Sequence, residues 1–415
     1  MTSVLESAFD RLWEPLLPIG RNAATSGYRR MAYSVADLGC REWFVAAAEE
    51  RGLAVETDRN GNMWAWWTGP WGGPSGNDAF VIGSHLDSVR EGGAYDGPLG
   101  VVSSLAAVEV LQSQGVVPRR PFAVAAFSDE EGARFGVACA GSRLAAGTLA
   151  PDAARALRDD DGTSMAEAMT SAGLDPGDVG PDVDRLRRIG AFVELHVEQG
   201  RALVDDGAPV GLASAIWPHG RYRLTFRGEA NHAGTTAMAD RRDPVQAWSR
   251  TALAADAAAR EQHGRATFGR LEIDPNATNA IPSEVRAWLD ARAGDEGTLA
   301  VLLEQIREAA FRSAQSSGTS VDLVVESESP AVQFDATLRG AVASALREPE
   351  GHDVPVLPTG AGHDAGILAG AGVPTAMLFV RNPTGVSHSP AEFAEQSDCL
   401  AGVQALVTVV QSLAC

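Results

Sequence analysis

Cysteine is scarce in this chain of 415 residues. Cys40, Cys139, Cys399 and Cys415 are all there are, and none forms a C-x-x-C pair. Usage so sparse and irregular excludes a disulfide framework and fits reduced thiols in a cytoplasmic protein. Long apolar runs are missing too: none approaches the ~20 residues that a membrane helix needs. The opening stretch MTSVLESAFDRLWEPLLPIG has neither a basic start nor a long apolar centre, so no signal peptide is expected. Positive charge is in the minority, 34 Lys and Arg against 54 Asp and Glu, for a net charge of -20. Such a surface repels nucleic acid and anionic membrane, and neither is expected as a partner. Its plain consequence is solubility. An anionic substrate would have to be held by local positive charge, which metal ions and a buried arginine can supply. Internal repeats and low-complexity tracts are also absent.

What is present is an ordinary globular composition, 45% hydrophobic and 21% charged. The length suggests two domains. VADLGCREWFVAAAEE (35–50) has helical spacing and stops at Arg51-Gly52. LAVETD, AFVIGSHLDSV, RPFAVAAFSDEEG and AFVELHVEQG read as strands, GVVSSLAAVEVLQSQG as a helix, and residues 151–190 as short surface helices. That alternation predicts an α/β sheet. From about residue 213 the texture changes. RYRLTFRGEA, EVRAWLDAR and VDLVVESES alternate apolar and polar residues, and helices are expected at about 243–263 and 295–316. This predicts an α+β domain at 213–328 inserted into an α/β domain made of 1–212 and 329–415, where VPTAMLFV is a late buried strand.

Only eight histidines exist, and three of them fall in short segments rich in carboxylates. His85-Leu86-Asp87, Tyr95-Asp96-Gly97, Asp129-Glu130-Glu131-Gly132, Glu194-Leu195-His196 and Ser387-His388-Ser389 all follow apolar strands or lie in glycine-rich loops. An open α/β sheet binds ligands at such strand ends. Taken singly, each has an ordinary reading: a core histidine, a solvated acidic loop, an Asp-Gly turn. Taken together they read as a metal centre. In an extended chain His85 and Asp87 share a side, so Asp87 is expected to accept a hydrogen bond from the imidazole of a metal-bound His85. Asp96, in a glycine-rich loop, could bridge two ions. Of the adjacent pair, Glu131 is expected to bind metal and Glu130 to act as general base on metal-activated water.

These segments resemble the M20 clan of metal-dependent amidases, in its allantoate amidohydrolase, N-carbamoyl-L-amino acid hydrolase and β-ureidopropionase branch. GSHLDSV, GGAYDGPLGV, FSDEEGARFG, ELHVEQG, RGEANHAGTTAMADRRDP, TNAIPSEV with LDAR, TGAGHDA and GVSHSPAEF carry the resemblance, from about residue 83 to 393. It implies a two-metal aminopeptidase-like catalytic domain with an inserted dimerisation (lid) domain. It implies His85, Asp96, Glu131, His196 and His388 as ligands of two divalent ions, Zn or Mn with Co or Ni as alternatives. Asp96 would bridge, with His85 and His196 binding one metal each and the remaining pairing left open. It implies Glu130 as base, Asp87 as its aide through His85, and His232 reaching into the partner subunit's site in a homodimer. Gln199, Asn279 and Arg292 match substrate-binding positions, Arg292 being the candidate for a substrate carboxylate. Gly360, in the Gly360-Ala361-Gly362 loop, could offer backbone N–H groups, whereas His363-Asp364 is expected to shape that loop. AIWPHGRYR departs from the pattern: His219 either replaces a polar amide as a donor or is a turn residue beside Pro218.

The expected activity is hydrolysis of a non-peptide C–N bond in a small carboxylate-bearing ureido, N-carbamoyl or N-acyl amino acid. N-formyl or N-formimino amino acids and, within the same clan, peptides are the alternatives. A catalytically dead scaffold would have lost Glu130 or several ligands, and none is missing.

Overall fold

Runs that are apolar without alternation can only be buried on both faces, and the strands AFVIGSH, FAVAAF and TAMLFV are buried at every position. The computed structural model describes residues 2–67, 77–347 and 353–415. Its strands, in chain order, are β1 (Leu53–Thr57), β2 (Met63–Trp67), β3 (Ala79–His85), β4 (Phe122–Phe127), β5 (Ile189–Val197), β6 (Val210–Ile216), β7 (His219–Arg227), β8 (Asn231–His232), β9 (Arg265–Asp274), β10 (Ala280–Ile281), β11 (Glu284–Arg292), β12 (Ser320–Ser329), β13 (Val332–Gln333), β14 (Val356–Thr359) and β15 (Thr375–Val380). Two compact units are present, Met1–Ser214 with Gln333–Cys415, and Ala215–Val332. The expected boundaries, 212/213 and 328/329, lie a few residues before these.

The first unit is built on a nine-stranded sheet in the order β1-β2-β4-β3-β5-β15-β6-β13, with β14 also on β6. Its centre, β4-β3-β5-β15, is parallel. The helix Pro98–Ser113 connects β3 to β4 and is buried along nearly its whole length, packed on β3, β5 and the helices Thr2–Leu16 and Gln396–Leu413. It comes this close because Gly100 has no side chain: a Cβ there would stand 2.0 Å from the carbonyl oxygen of Leu195. Since β4 and β5 flank β3 on opposite sides, the chain reverses its direction of travel around β3. That crevice, at the C-terminal ends of the strands, is where an open sheet leaves room for a ligand.

The second unit is an antiparallel sheet, β12-β7-β11-β9. Tyr222, Leu224, Phe226, Val285 and Leu289 alternate onto one face, where they pack with residues of the helices Pro244–Glu261 and Glu296–Ser316. Asp243 and Asp295 cap these helices at their N-termini. The sequence reading had not resolved β2 or β9. β9 is an edge strand whose exposed Arg265, Arg270 and Asp274 hide its period. Among the described residues no helix is long and apolar enough to cross a membrane.

Candidate metal centre

β3 ends at His85, β5 carries His196 one residue from its end, and the loops after β4 and β15 bring Glu130, Glu131 and His388 to the same crevice. His85 and His196 are fully buried, and both aim Nε2 at one oxygen of Asp96: Oδ1 is 3.6 Å from His85 and 3.1 Å from His196. The other oxygen, Oδ2, lies 3.5 Å from His388 Nε2, which is itself 3.3 Å from Glu131 Oε2. Two donor groups therefore share Asp96: a buried one, His85-Asp96-His196, and a more open one, Asp96-Glu131-His388. His85 and His196, expected to take one metal each, thus meet the same carboxylate oxygen and fall in one donor group.

The donors fit divalent ions. Among the described residues, the buried Nε2 atoms of His85 and His196 have no hydrogen-bond partner, a costly state unless something else binds them. Donors at bond lengths near 2.1 Å around a tetrahedral ion stand about 3.4 Å apart, close to the separations seen here. The far side of each ring is already committed: His85 Nδ1 faces the backbone oxygen of Asp87 at 3.1 Å, and His196 Nδ1 that of Val197 at 2.9 Å. Those carbonyls select the tautomer that leaves Nε2 free for a metal. The ring of His85 also rests against Gly97, where φ is +83° and a Cβ would stand 2.3 Å from Cε1. The chain contains no lysine, which removes amine nucleophiles and lysine-derived bridges from the possibilities.

Asp87 lies beside the His85 ring and is also tied to the acidic loop. Its carboxylate accepts from the backbone N–H groups of Glu130 and Glu131, each at 3.1 Å, and lies 3.5 Å from His85 Nδ1. The strand ends at His85, so side-chain alternation no longer governs residue 87, and the carboxylate reaches the acidic loop as well. That loop is held elsewhere as well. Asn62 Oδ1 accepts from Ser128 N, and the N–H groups of Cys139, Ala140 and Gly141 donate to the carbonyls of Glu130, Asp129 and Ser128. Asp129 takes a left-handed conformation, φ 54°. The result places Glu130 Oε2 3.6 Å from His85 Nε2.

Charge in this crevice is lopsided. Burial, with Asp364, Glu131 and Asp87 adding to it and only His85 opposing, pushes the Glu130 carboxyl well above its usual range. Burial and the neighbouring Asp96 do the same to Glu131. Burial works against a charged His85, but Glu130, Asp87 and Asp96 outweigh it and raise the imidazole well above its usual range. Asp96, despite burial, is held well below its usual range by His196 and His85. A cavity that gathers this many carboxylates around two histidines is balanced by cations.

Gln199 donates to Asp96 Oδ2 at 2.9 Å, so it contacts the shared carboxylate as well as the crevice. Gly360 lies just beyond β14, and Ala361 N donates to Thr359 Oγ1. His363 is buried with its ring 4.6 Å from that of His196, and among the described residues neither of its nitrogens has a hydrogen-bond partner. Burial, with His196 beside it, holds this ring well below its usual range, in the neutral form. Glu194, the third member of a group with His196 and His363, is engaged by Ser84 Oγ and Ala365 N.

The remaining positions lie in the second unit, as two pairs. His232 and Asn279 sit together: Ala280 pairs with His232, and Ala233 N donates to the carbonyl of Asn279. His232 is exposed, and its Nδ1 accepts from Gly234 N and Thr235 N at 3.0 and 3.2 Å. The proton therefore resides on Nε2, which makes the outward nitrogen a donor. Arg292 and His219 face each other across β11 and β7. Arg292 makes a two-pronged contact with Asp290 at 2.7 and 2.9 Å. His219 is half-buried with Nδ1 3.1 Å from the carbonyl of Trp217, and burial lowers its pKa. The two pairs lie toward opposite ends of β11. Eight residue steps from Glu284 to Arg292 span about 26 Å.

A sequence model of peptidase family M20/M25/M40 matches residues 81–412. The chain belongs to that family. It is 36% identical to an N-carbamoyl-L-amino acid amidohydrolase of Geobacillus stearothermophilus over 98% of each chain. It is 34% identical to the allantoate amidohydrolase of Escherichia coli (strain K12), over 94% of this chain and 93% of that one. Its fold matches the crystal structure of an amidase of the hydantoinase/carbamoylase family from Burkholderia vietnamiensis, with TM-score 0.85 at 30% identity over 98% and 97% of the two chains. The named amidohydrolases among its relatives identify the protein as a hydrolase acting on non-peptide C–N bonds. Ser387, Glu392 and Glu194 are members of the site to which the sequence reading gave no role. The sole signal was their position within three or four residues of a ligand histidine.

Proposed function

We propose that the protein hydrolyses the C–N bond of a ureido or N-carbamoyl group on a small carboxylate-bearing substrate. Two divalent ions per chain, Zn or Mn, would be held by His85, Asp96 and His196 and by Asp96, Glu131 and His388. The observation that carries this reading is the sharing of Asp96 by two donor groups with Glu130 beside them. When bound, such ions polarise a carbonyl oxygen and acidify water. The protein's own groups do the rest. Glu130 takes a proton from the attacking water as its oxygen bonds to the carbonyl carbon. It then gives that proton to the departing nitrogen as the C–N bond breaks. Asp87 keeps the Glu130 backbone in place through its two accepted hydrogen bonds. His232, with its proton on Nε2, is suited to donate to the carbonyl oxygen as negative charge develops there. Arg292, Asn279, Gln199, His219 and the Gly360 loop are proposed to hold the substrate, Arg292 at its carboxylate.

The about 26 Å between the two ends of β11 is longer than any such substrate. A nominal separation of about 26 Å along β11 favours a substrate that meets Arg292 of one chain and His232 of another. This supports a homodimer in which His232 and Asn279 serve the partner's site. The exposed Val324 and Val325 on the edge strand β12 support a protein contact in this unit. The reduced-thiol usage supports a cytoplasmic location.

The test is product release from metal-loaded protein offered allantoate, N-carbamoyl amino acids, β-ureidopropionate, N-formyl amino acids and dipeptides. Turnover of a ureido or carbamoyl compound is expected. It should be abolished by chelator and cut by about 10²–10⁴-fold in Glu130→Gln, with metal content unchanged. Turnover of dipeptides alone, or full activity in Glu130→Gln, would sink the reading.

A further inference from the structure

His388 is an odd ligand. Its side chain is 51% exposed, while the other donors of the centre are buried. It lies on a loop beyond β15, in a left-handed conformation with φ 55°. Asp96 likewise lies on a loop, beyond β3. His85 and His196 are fixed by strands, but the open donor group depends on three loops, those of Asp96, Glu131 and His388, keeping their distance.

Glu392 joins them. Its Oε1 accepts from the backbone N–H groups of both Tyr95 and Asp96, each at 2.9 Å. Its Oε2 lies 3.3 Å from Ser387 Oγ, and that hydroxyl is 3.0 Å from Asp96 Oδ2. Its own N–H donates to the carbonyl of Ser389 at 3.0 Å, closing the turn that directly follows His388. The side chain is nearly fully buried, 5% exposed. It reaches the Asp96 loop only because residue 93 is glycine: a Cβ there would stand 2.3 Å from Oε1 and 2.5 Å from the Glu392 Cβ.

We propose that Glu392 is a positioning residue, a latch between the Asp96 loop and the His388 loop that sets the open donor group for its ion. The inference rests on the two-ion reading of the site. The latch touches neither His85 nor His196, so its loss acts selectively. The buried group keeps two histidines on strands and an Asp96 side chain still held by Gln199. The open group loses the restraint between two of its three loops, those of Asp96 and His388.

The experiment is titration of chelator-stripped protein with Zn²⁺, by calorimetry and by metal content after dialysis, alongside the unfolding temperature of the stripped form. Wild type is expected to take up two ions per chain. Glu392→Ala should keep the tighter one and bind the second about tenfold or more weakly. Gly93→Ala should show the same signature, because its methyl group displaces the carboxylate. Glu392→Gln, whose carbonyl oxygen can still accept both N–H bonds, should stay within about threefold of wild type. The latch is overturned if Glu392→Ala binds both ions normally, if it loses both together, or if Gln is no better than Ala. Fewer than two ions in wild type would instead overturn the two-ion reading, a result visible before any variant is made.

Discussion

At Gly97 one hydrogen atom stands where any other residue would place a carbon against the His85 ring. The backbone there has φ +83°, and the nearest ring atoms are 2.3 to 2.6 Å from a built Cβ. Gly97→Ala is therefore expected to combine a backbone penalty of about 1–3 kcal/mol with displacement of the imidazole. Metal content measured after dialysis should fall below one ion at the buried group; retention of that ion would remove Gly97 from the account. Asp87 shows the limit of local reasoning at this scale. An H-x-D spacing was enough to flag the pair, but the partner chosen by the carboxylate was the backbone of residues 130 and 131, more than forty positions away. The imidazole took the backbone oxygen of the same residue instead.

Elements place the site by holding loops rather than by supplying ligands alone. The hairpin β1–β2 is an example. In its turn, the Asp58 carboxylate accepts from Asn60 N, Asn62 N, Asn62 Nδ2 and Trp64 Nε1, at 2.9 to 3.1 Å. Asn62, so fixed, receives Ser128 N and starts the acidic loop on its course. Asp58→Ala should leave several buried donors unpaired, at about 1–3 kcal/mol each. An unfolding free energy lowered by about 3 kcal/mol or more, seen as a lower denaturant midpoint, is expected, with turnover falling in the protein that remains folded. An unchanged midpoint would show that water replaces the carboxylate. Most elements were legible beforehand, because β3, β4, β5 and β15 are continuous apolar runs and the long helices of the second unit carry an apolar stripe and caps. β2 was hidden by tryptophans that fit either period, and β9 by charges on an exposed edge.

For the whole molecule, the arrangement of the second unit carries the sharpest expectation. Arg292 ends β11 of the four-stranded sheet, His232 lies in the separate two-stranded sheet β10-β8, and the proposed dimer assigns them to different sites. Glu130→Gln and His232→Ala should each be inactive alone. After co-refolding, heterodimers would contain one site with an intact Glu130 and a His232 contributed by the other chain. Random association then restores about a quarter of wild-type activity. Mixtures that stay inactive, or a fully active monomer in sedimentation, would refute action across the interface.

The sequence by itself determined the fold class and the family, and it singled out the donor side chains proposed to bind metal. These reside in short segments whose period, composition and spacing are local properties of the chain. Tertiary structure decided which donors share an oxygen of Asp96, what Asp87 accepts, and that Glu392 grips a loop 296 positions away. Such pairings follow from how the sheet brings strand ends together. Hydrogen bonds between distant residues leave no period in the sequence to read.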